Sequence, residues 1–190
     1  MRRLSSAALV AALLFAACGR GPTYDVVVAN GRVMDPESGL DEIRNVGIRA
    51  GRIEAVSASA LAGTRVIDAT GLVVAPGFID LHEHGQADES YKVMVRDGVT
   101  SAFELEVGTA DVPGWYAARD GGQVVNYGVS VGHIKARMQV LGDPGTGLLP
   151  AGIGGTGSAT EQQVEEMVAI LRKGLADGAV AVGFGSAYTP

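Results

Sequence analysis

From Val73 to Pro190 the chain repeats one pattern, a short apolar run rich in valine, isoleucine and phenylalanine followed by a stretch with helical spacing. Runs of about four to eight such residues between turn signals read as strands. Strands that alternate with helices point to a parallel sheet with helices on its faces. The pattern predicts strand one from Val73 to His84, a helix from Glu89 to Arg96, and strand two from Thr100 to Glu106. A helix from Asp111 to Arg119, strand three from Val124 to Val131, a helix from Glu161 to Leu175 and strand four from Ala179 to Phe184 follow. Asp111 is placed as an N-cap with Pro113 in the first turn. In the Glu161 helix, Thr160 and Gln163 stand in capping-box register, and Val164, Met167, Val168, Leu171 and Leu175 share one face. The 28 glycines suit an architecture with many tight strand-to-helix turns.

Strand one closes on His82-Glu83-His84. Alternate strand residues point to the same side, so two imidazoles stand side by side, about 7 Å apart along the backbone. Both rings can then bind one metal ion, and a zinc-type centre favours neutral imidazole nitrogen at about 2.0–2.1 Å. The chain has three histidines, so a pairing of two at one strand end is hard to ascribe to chance. Glu83 points the other way and is given no ligand role. Asp80 shares the parity of the histidines but sits deeper. It either hydrogen-bonds a ring nitrogen and fixes its tautomer or is an ordinary polar residue of the strand. Strand two carries Glu104 and Glu106 on one face, a costly pair in a buried strand unless something positive neutralises them. A metal centre would do so, with Glu106, nearer the strand end, as ligand and Glu104 behind it. Strand three ends at His133, within Ser130-Val-Gly-His-Ile-Lys-Ala-Arg137.

Before Val73 the pattern is different. Tyr24–Ala29, Arg32–Met34, Asn45–Arg49, Ile53–Val56 and Arg65–Ile67 read as short strands. Asn30-Gly31 is a hairpin signal, and Ala50-Gly51-Arg52 marks a second turn. Residues 1–18 read as an export leader, with the basic start Met1-Arg2-Arg3, an apolar stretch from Ala7 to Ala17, and Cys18 directly after it. The apolar stretch is shorter than the roughly 20 residues of a spanning helix. Phe15-Ala-Ala-Cys18 resembles a bacterial lipobox, with Phe15 in place of the usual leucine, so Cys18 is the candidate lipidation site and a plain secretory signal is the alternative. The expected location is outside the cytoplasm, as a periplasmic protein or an outer-membrane lipoprotein. Cys18 is the single cysteine, which excludes an intrachain disulfide. A net charge of −6 with no basic cluster argues against nucleic acid as a partner.

Tyr24-Asp-Val-Val-Val-Ala-Asn-Gly-Arg-Val-Met34, Gly51-Arg-Ile-Glu-Ala-Val56 and Val66 through His82-Glu-His-Gly85 together resemble the amino-terminal third of a metal-dependent amidohydrolase. The likeness runs from about Tyr24 to Pro190. Within that superfamily it is nearest the D-aminoacylase-like branch, the N-acyl-D-amino-acid and D-glutamate deacylases. The resemblance implies residues 24–72 as the first part of a small β-sandwich, after a tether at 19–23, and residues 73–190 as the first half of a (β/α)8 barrel. Such a barrel needs eight strands, and four are found. A half barrel leaves a parallel edge unpaired, so we expect an incomplete chain, whether a partial gene record, a frameshift product or a pseudogene remnant.

Active sites of these barrels lie at the carboxyl ends of the strands. The resemblance implies one or two divalent ions, zinc first among them, on His82, His84 and Glu106, although D-aminoacylases carry a cysteine near the Glu106 position. Iron, manganese, cobalt and nickel also accept imidazole with carboxylate. On the substrate side stand His133, to polarise a carbonyl or shape the pocket, and Tyr188 after strand four. Arg137 is a candidate for a bidentate fork on a substrate carboxylate, with a surface position as its default. Lys135 lies too far beyond the strand to serve as a carboxylated bridge. The partner is then a small-molecule substrate, and the reaction is hydrolysis of a linear C–N amide bond, as in N-acyl-D-amino acid deacylation. Two further histidines and a general-base aspartate are expected beyond Pro190, so these residues alone are expected to be inactive. Alternatives are a cyclic amidase, dipeptidase or deaminase reaction, or a non-catalytic lipoprotein remnant. Membrane contact is expected through a lipid anchor only, and oligomeric state is left open.

Overall fold

The computed structural model describes residues 23–190. The 1–18 leader, with Cys18, and the tether up to residue 22 lie outside the described residues. Two compact units are formed, one ending at Pro76 and the other running from Gly77 to Pro190.

The first unit is one five-stranded sheet of β1 (Thr23–Asp35), β2 (Leu40–Arg49), β3 (Arg52–Ser57), β4 (Ala62–Asp68) and β5 (Val73–Val74). The order is β3-β2-β1-β4, with β5 also on β1. β2 runs antiparallel to β1 and β3, whereas β4 and β5 run parallel to β1. Asn30-Gly31 is not a hairpin turn. β1 passes straight through it, with a register shift between Val28 and Gly31. A tight hairpin of that type needs positive φ at both central residues, and of the two only Asn30 has it, at 63°. The amide N–H of Asn30 donates to Asn45 Oδ1 at 3.0 Å, and a side chain on Gly31 would collide with Val74. The reversal comes later, where Asp35 accepts from Glu37 N at 3.1 Å and from Ser38 Oγ at 2.5 Å, and Gly39 takes φ 72°. Ala50-Gly51 does turn the chain, with φ of 49° and 73°. Tyr24, Val27, Val33 and Val46 are buried. Among the described residues this unit holds a single sheet.

The second unit contains β6 (Phe78–Asp80), α1 (Asp88–Arg96), β7 (Val99–Thr109), α2 (Val112–Ala117), β8 (Asn126–Gly132), α3 (His133–Leu141), α4 (Ile153–Thr156), α5 (Glu161–Ala176) and β9 (Val182–Gly183). Its strands are parallel and lie side by side in chain order, β6-β7-β8-β9. This is how successive strands of a barrel wall are arranged. Strand one is broken, because Val73 and Val74 pair with β1 in the first unit while β6 begins at Phe78 and ends at Asp80. Pro76 between them has no N–H to give a ladder. Both histidines therefore lie past the strand, His82 in an isolated bridge with Glu104. β9 is shorter than expected, although Val180 N and Ala181 O already bond to β8 at 3.0 Å.

Three apolar groups hold helices to this sheet, one of them Val107 of β7 with Ile134 and Met138 of α3. Tyr91 of α1 packs with Ala102 and Val125, and Val112 of α2 packs with Val129 and Val131, against which Ile170 and Leu171 also rest. The Thr160–Gln163 capping box forms as expected. The packed face of α5 is rotated, however: Met167 and Gly174 are buried, whereas Val164, Val168 and Leu175 are exposed. Gly174 explains the rotation, since a Cβ there would run into Val131 and only glycine lets the helix come this close. α3 is an element the apolar pattern missed. It starts immediately after β8 without a side-chain cap. Its alternating Ile134-Lys-Ala-Arg-Met-Gln-Val140 reads locally like more strand. Among the described residues no helix is long and apolar enough to cross a membrane.

Candidate metal centre

The centre begins with an irregularity in β7. Between the Glu104–Val129 and Thr109–Val131 pairs, β7 carries extra residues relative to β8. Bulges of this kind re-aim side chains at barrel rims. Here the bulge turns the backbone N–H groups of Glu106 and Val107 onto Glu104 Oε1, each at 2.9 Å. Glu104 is 2 % exposed, and its Oε2 is in contact with His84 Nδ1. A buried carboxylate without donors is costly; this one has three. A carboxylate only accepts, so Nδ1 of His84 carries the proton and Nε2 presents its lone pair. Such a contact fixes the ring and raises its basicity as a ligand.

The freed nitrogen faces two other donors. His84 Nε2 lies 2.9 Å from His82 Nε2 and 3.3 Å from Glu106 Oε2, and His82 Nε2 lies 3.0 Å from the same Oε2. Corners of a tetrahedron around an ion bound at about 2.0–2.1 Å are about 3.3–3.4 Å apart. The triangle has nearly the size of one tetrahedral face. Two imidazoles and a carboxylate are also the donor types that zinc and its first-row neighbours accept. His82, His84 and Glu106 therefore fit a divalent metal ion, and they are brought together as a group.

The remaining candidates are placed differently. The Asp80 carboxylate accepts from the backbone N–H of His82 at 3.0 Å; the tautomer is held by Glu104, not Asp80. Glu83 caps Gly85 N and stays out of the donor triangle. His133 opens α3 with its ring on Phe184, centroids 4.9 Å apart. Burial, helped by the charge of Arg137, holds its pKa below the ordinary histidine value, and its Nδ1 is buried with no partner. Arg137 is not on the surface. It is 4 % exposed and donates Nε–H to Gly154 O at 2.7 Å and Nη2–H to Gly157 O. Its Nε–Nη2 edge is thus engaged by backbone carbonyls. Lys135 donates to Gly147 O, and burial lowers its pKa against the opposing pull of Glu104. Tyr188 adjoins the centre, since a Cβ at Gly185 would stand 3.1 Å from its Cδ2 and 3.2 Å from Glu106 Oε1.

Two groups escaped the sequence reading. Asp143 accepts from Gly145 N and Ala151 N on Oδ1, and from Gly152 N and Gly154 N on Oδ2, all at 2.8–2.9 Å. Gln86, two residues after His84, meets Trp115 and Arg119. The Gly142-Asp143-Pro144 sequence was the available signal for the first, as a helix stop. No local pattern announces the second, because its partners lie far along the chain.

Comparison with known proteins gives a consistent set of likenesses. Residues 65–131 match the model of the Amidohydrolase family. A dihydroorotase of Solibacter usitatus is 33 % identical over 167 residues, covering 83 % of this chain and 34 % of that protein. A D-aminoacylase of Alcaligenes xylosoxydans xylosoxydans is 28 % identical over 202 residues, covering 88 % of this chain and 39 % of that protein. Among solved structures, the N-acyl-D-glutamate deacylase of Bordetella bronchiseptica, complexed with zinc and a phosphonate mimic of the tetrahedral intermediate, superposes with a TM-score of 0.71 at 26 % identity. That match covers 89 % of this chain and 40 % of the deacylase. The chain thus spans well under half the length of the relatives it matches.

Proposed function

This chain being a relative of the metal-dependent amidohydrolases, on the D-aminoacylase-like side of that superfamily, we propose that the protein it represents hydrolyses a linear C–N amide bond and removes the acyl group of N-acyl-D-amino acids. The carrying observation is the convergence of His82 Nε2, His84 Nε2 and Glu106 Oε2 within 3.3 Å of one another. A divalent ion held there, zinc by preference, supplies Lewis acidity and brings the pKa of bound water near neutrality. His82, His84 and Glu106 fix its position, and Glu104 keeps the lone pair of His84 directed at it. His133, kept neutral by its burial, can donate one hydrogen bond and accept another. Its unpartnered Nδ1 supports a substrate-side role. Tyr188 lines the same region. A general base and further ligands are expected from residues after Pro190, so the 190 residues by themselves are expected to be inactive. The 1–18 leader supports export, with Cys18 as the lipidation site.

The test is hydrolysis of paired N-acyl-D- and N-acyl-L-amino acids by the full gene product after dialysis against chelator and after addition of Zn²⁺. Metal-dependent release of the D-amino acid is the expected result. A second reading, opening of a cyclic amide, is favoured by the dihydroorotase relative. Turnover of dihydroorotate without turnover of either acyl amino acid would select it.

A further inference from the structure

Both histidines of the centre sit in a stretch that has left the sheet at Asp80 and not yet entered α1 at Asp88. Loops ordered only by their own residues give up conformational entropy whenever they must hold one geometry. Convergent ligands therefore need an external hold on their loop. Glu104 holds the ring of His84, and Gln86 is where the backbone after it is held.

Three donors and acceptors meet at that residue. Gln86 Oε1 accepts from Trp115 Nε1 at 2.7 Å and from Arg119 Nη2 at 3.0 Å. Gln86 Nε2 donates back to Glu83 O at 3.2 Å, across the position of His84. Arg119 Nη2 also lies 3.4 Å from Gln86 O. The gripping side chains are themselves fixed. The Arg119 guanidinium lies over the Trp115 ring, 3.6 Å from its centroid, and its Nη1 donates to Trp115 O at 2.8 Å. The Tyr127 hydroxyl on β8 donates to Arg119 O at 3.1 Å. Arg119 Nε is buried with no partner.

We propose that Gln86 is a positioning residue for the metal centre, and that the Trp115–Arg119 pair is the clamp transmitting the rigidity of β8 to the His82–His84 loop. The inference rests on the metal reading above. Gln86 touches no donor atom of the triangle; it acts through the backbone that carries His84.

Trp115 is the single tryptophan, and its indole N–H is bonded two residues from His84, so its emission reports on the clamp directly. The experiment titrates Zn²⁺ into chelator-treated full gene product, with affinity read by competition against a chromophoric chelator and the clamp by tryptophan emission. Gln86→Glu keeps an acceptor for both donors and gives up only the donation to Glu83 O; Gln86→Leu removes both. Gln86→Leu should weaken Zn²⁺ binding about ten- to a hundredfold, as loss of an outer-shell partner does, with Gln86→Glu weakening it clearly less. Zn²⁺ should shift the emission of the parent and leave that of Gln86→Leu unchanged. Parent-like affinity in a folded Gln86→Leu, or equal weakening by both substitutions, overturns the proposal. Should Gln86→Leu not fold, Trp115→Phe takes its place: weakened Zn²⁺ competition supports the clamp and parent-like competition overturns it. If the parent itself binds no Zn²⁺, the metal reading fails, an outcome distinct from failure of the clamp alone.

Discussion

Glu104 and Asp143 organise two different stretches of backbone, and they differ in what each has left over. Asp143 meets four N–H groups with two oxygens, two on each. Its capacity is used up in shaping the glycine-rich segment between α3 and α4. Glu104 meets two N–H groups with one oxygen and keeps the other for His84. A carboxylate saturated by backbone builds structure; one with an oxygen in reserve can orient a ligand. The same contrast separates two basic residues of α3, buried Arg137 and half-buried His133. Arg137 is consumed by the carbonyls of Gly154 and Gly157, whereas His133 retains an unpartnered nitrogen.

Removing the saturated carboxylate should have the largest effect on stability. Desolvation pushes the Asp143 pKa up, but the four N–H groups hold it below its ordinary 3.8. A depressed carboxylate stabilises the fold above its unfolded pKa, and that contribution fades as the pH falls through the folded value. Asp143→Ala should therefore lower the melting temperature more at pH 7 than at pH 3, with Zn²⁺ affinity little changed. Thermal melts at both values check this.

Glu104→Gln should do the reverse. The amide no longer offers His84 Nδ1 a carboxylate, and Zn²⁺ affinity should drop about ten- to a hundredfold while the chain stays folded. If Asp143→Ala weakened Zn²⁺ as much as Glu104→Gln does, the distinction between the two carboxylates would be gone. Arg137→Met leaves two carbonyls without their donor and should cost about 1–3 kcal/mol in urea unfolding, again without change in metal binding.

The smallest effect belongs to His133. Its folded pKa is depressed below 6.5, so the unfolded chain takes up a proton first as the pH falls. Stability tied to this residue is complete above pH 6.5 and is lost on descent through the folded pKa. His133→Gln should flatten the stability profile between about pH 5 and 7. An unchanged slope would show that the ring is already partnered.

The contrast also explains what was legible in the sequence. β7, β8 and α5 were visible because period and caps agreed: Thr160 and Gln163 announced a helix that formed within one residue of its expected end. The three converging donors could be named because His82 and His84 alternate along one run and Glu106 lies near the end of the next strand. Asn30-Gly31 misled because positive φ at one residue serves a bulge as well as a turn. The α5 face was misjudged because Gly174 carries no apolar side chain, although it is buried against Val131. Arg137 was misplaced because its partners are backbone carbonyls, which have no sequence signature. Asp143 shares that difficulty, and Gln86 meets side chains about thirty residues along the chain, so neither leaves a periodicity to read.

The central claim is that His82, His84 and Glu106 form a divalent metal site. It is tested most directly by elemental analysis of the purified full gene product beside a His82→Ala/His84→Ala variant of matching circular dichroism. The account predicts at least one equivalent of a divalent metal in the parent and its loss from the variant. A folded parent that takes up no ion after Zn²⁺ addition, or a double variant that keeps the same metal content, would contradict it.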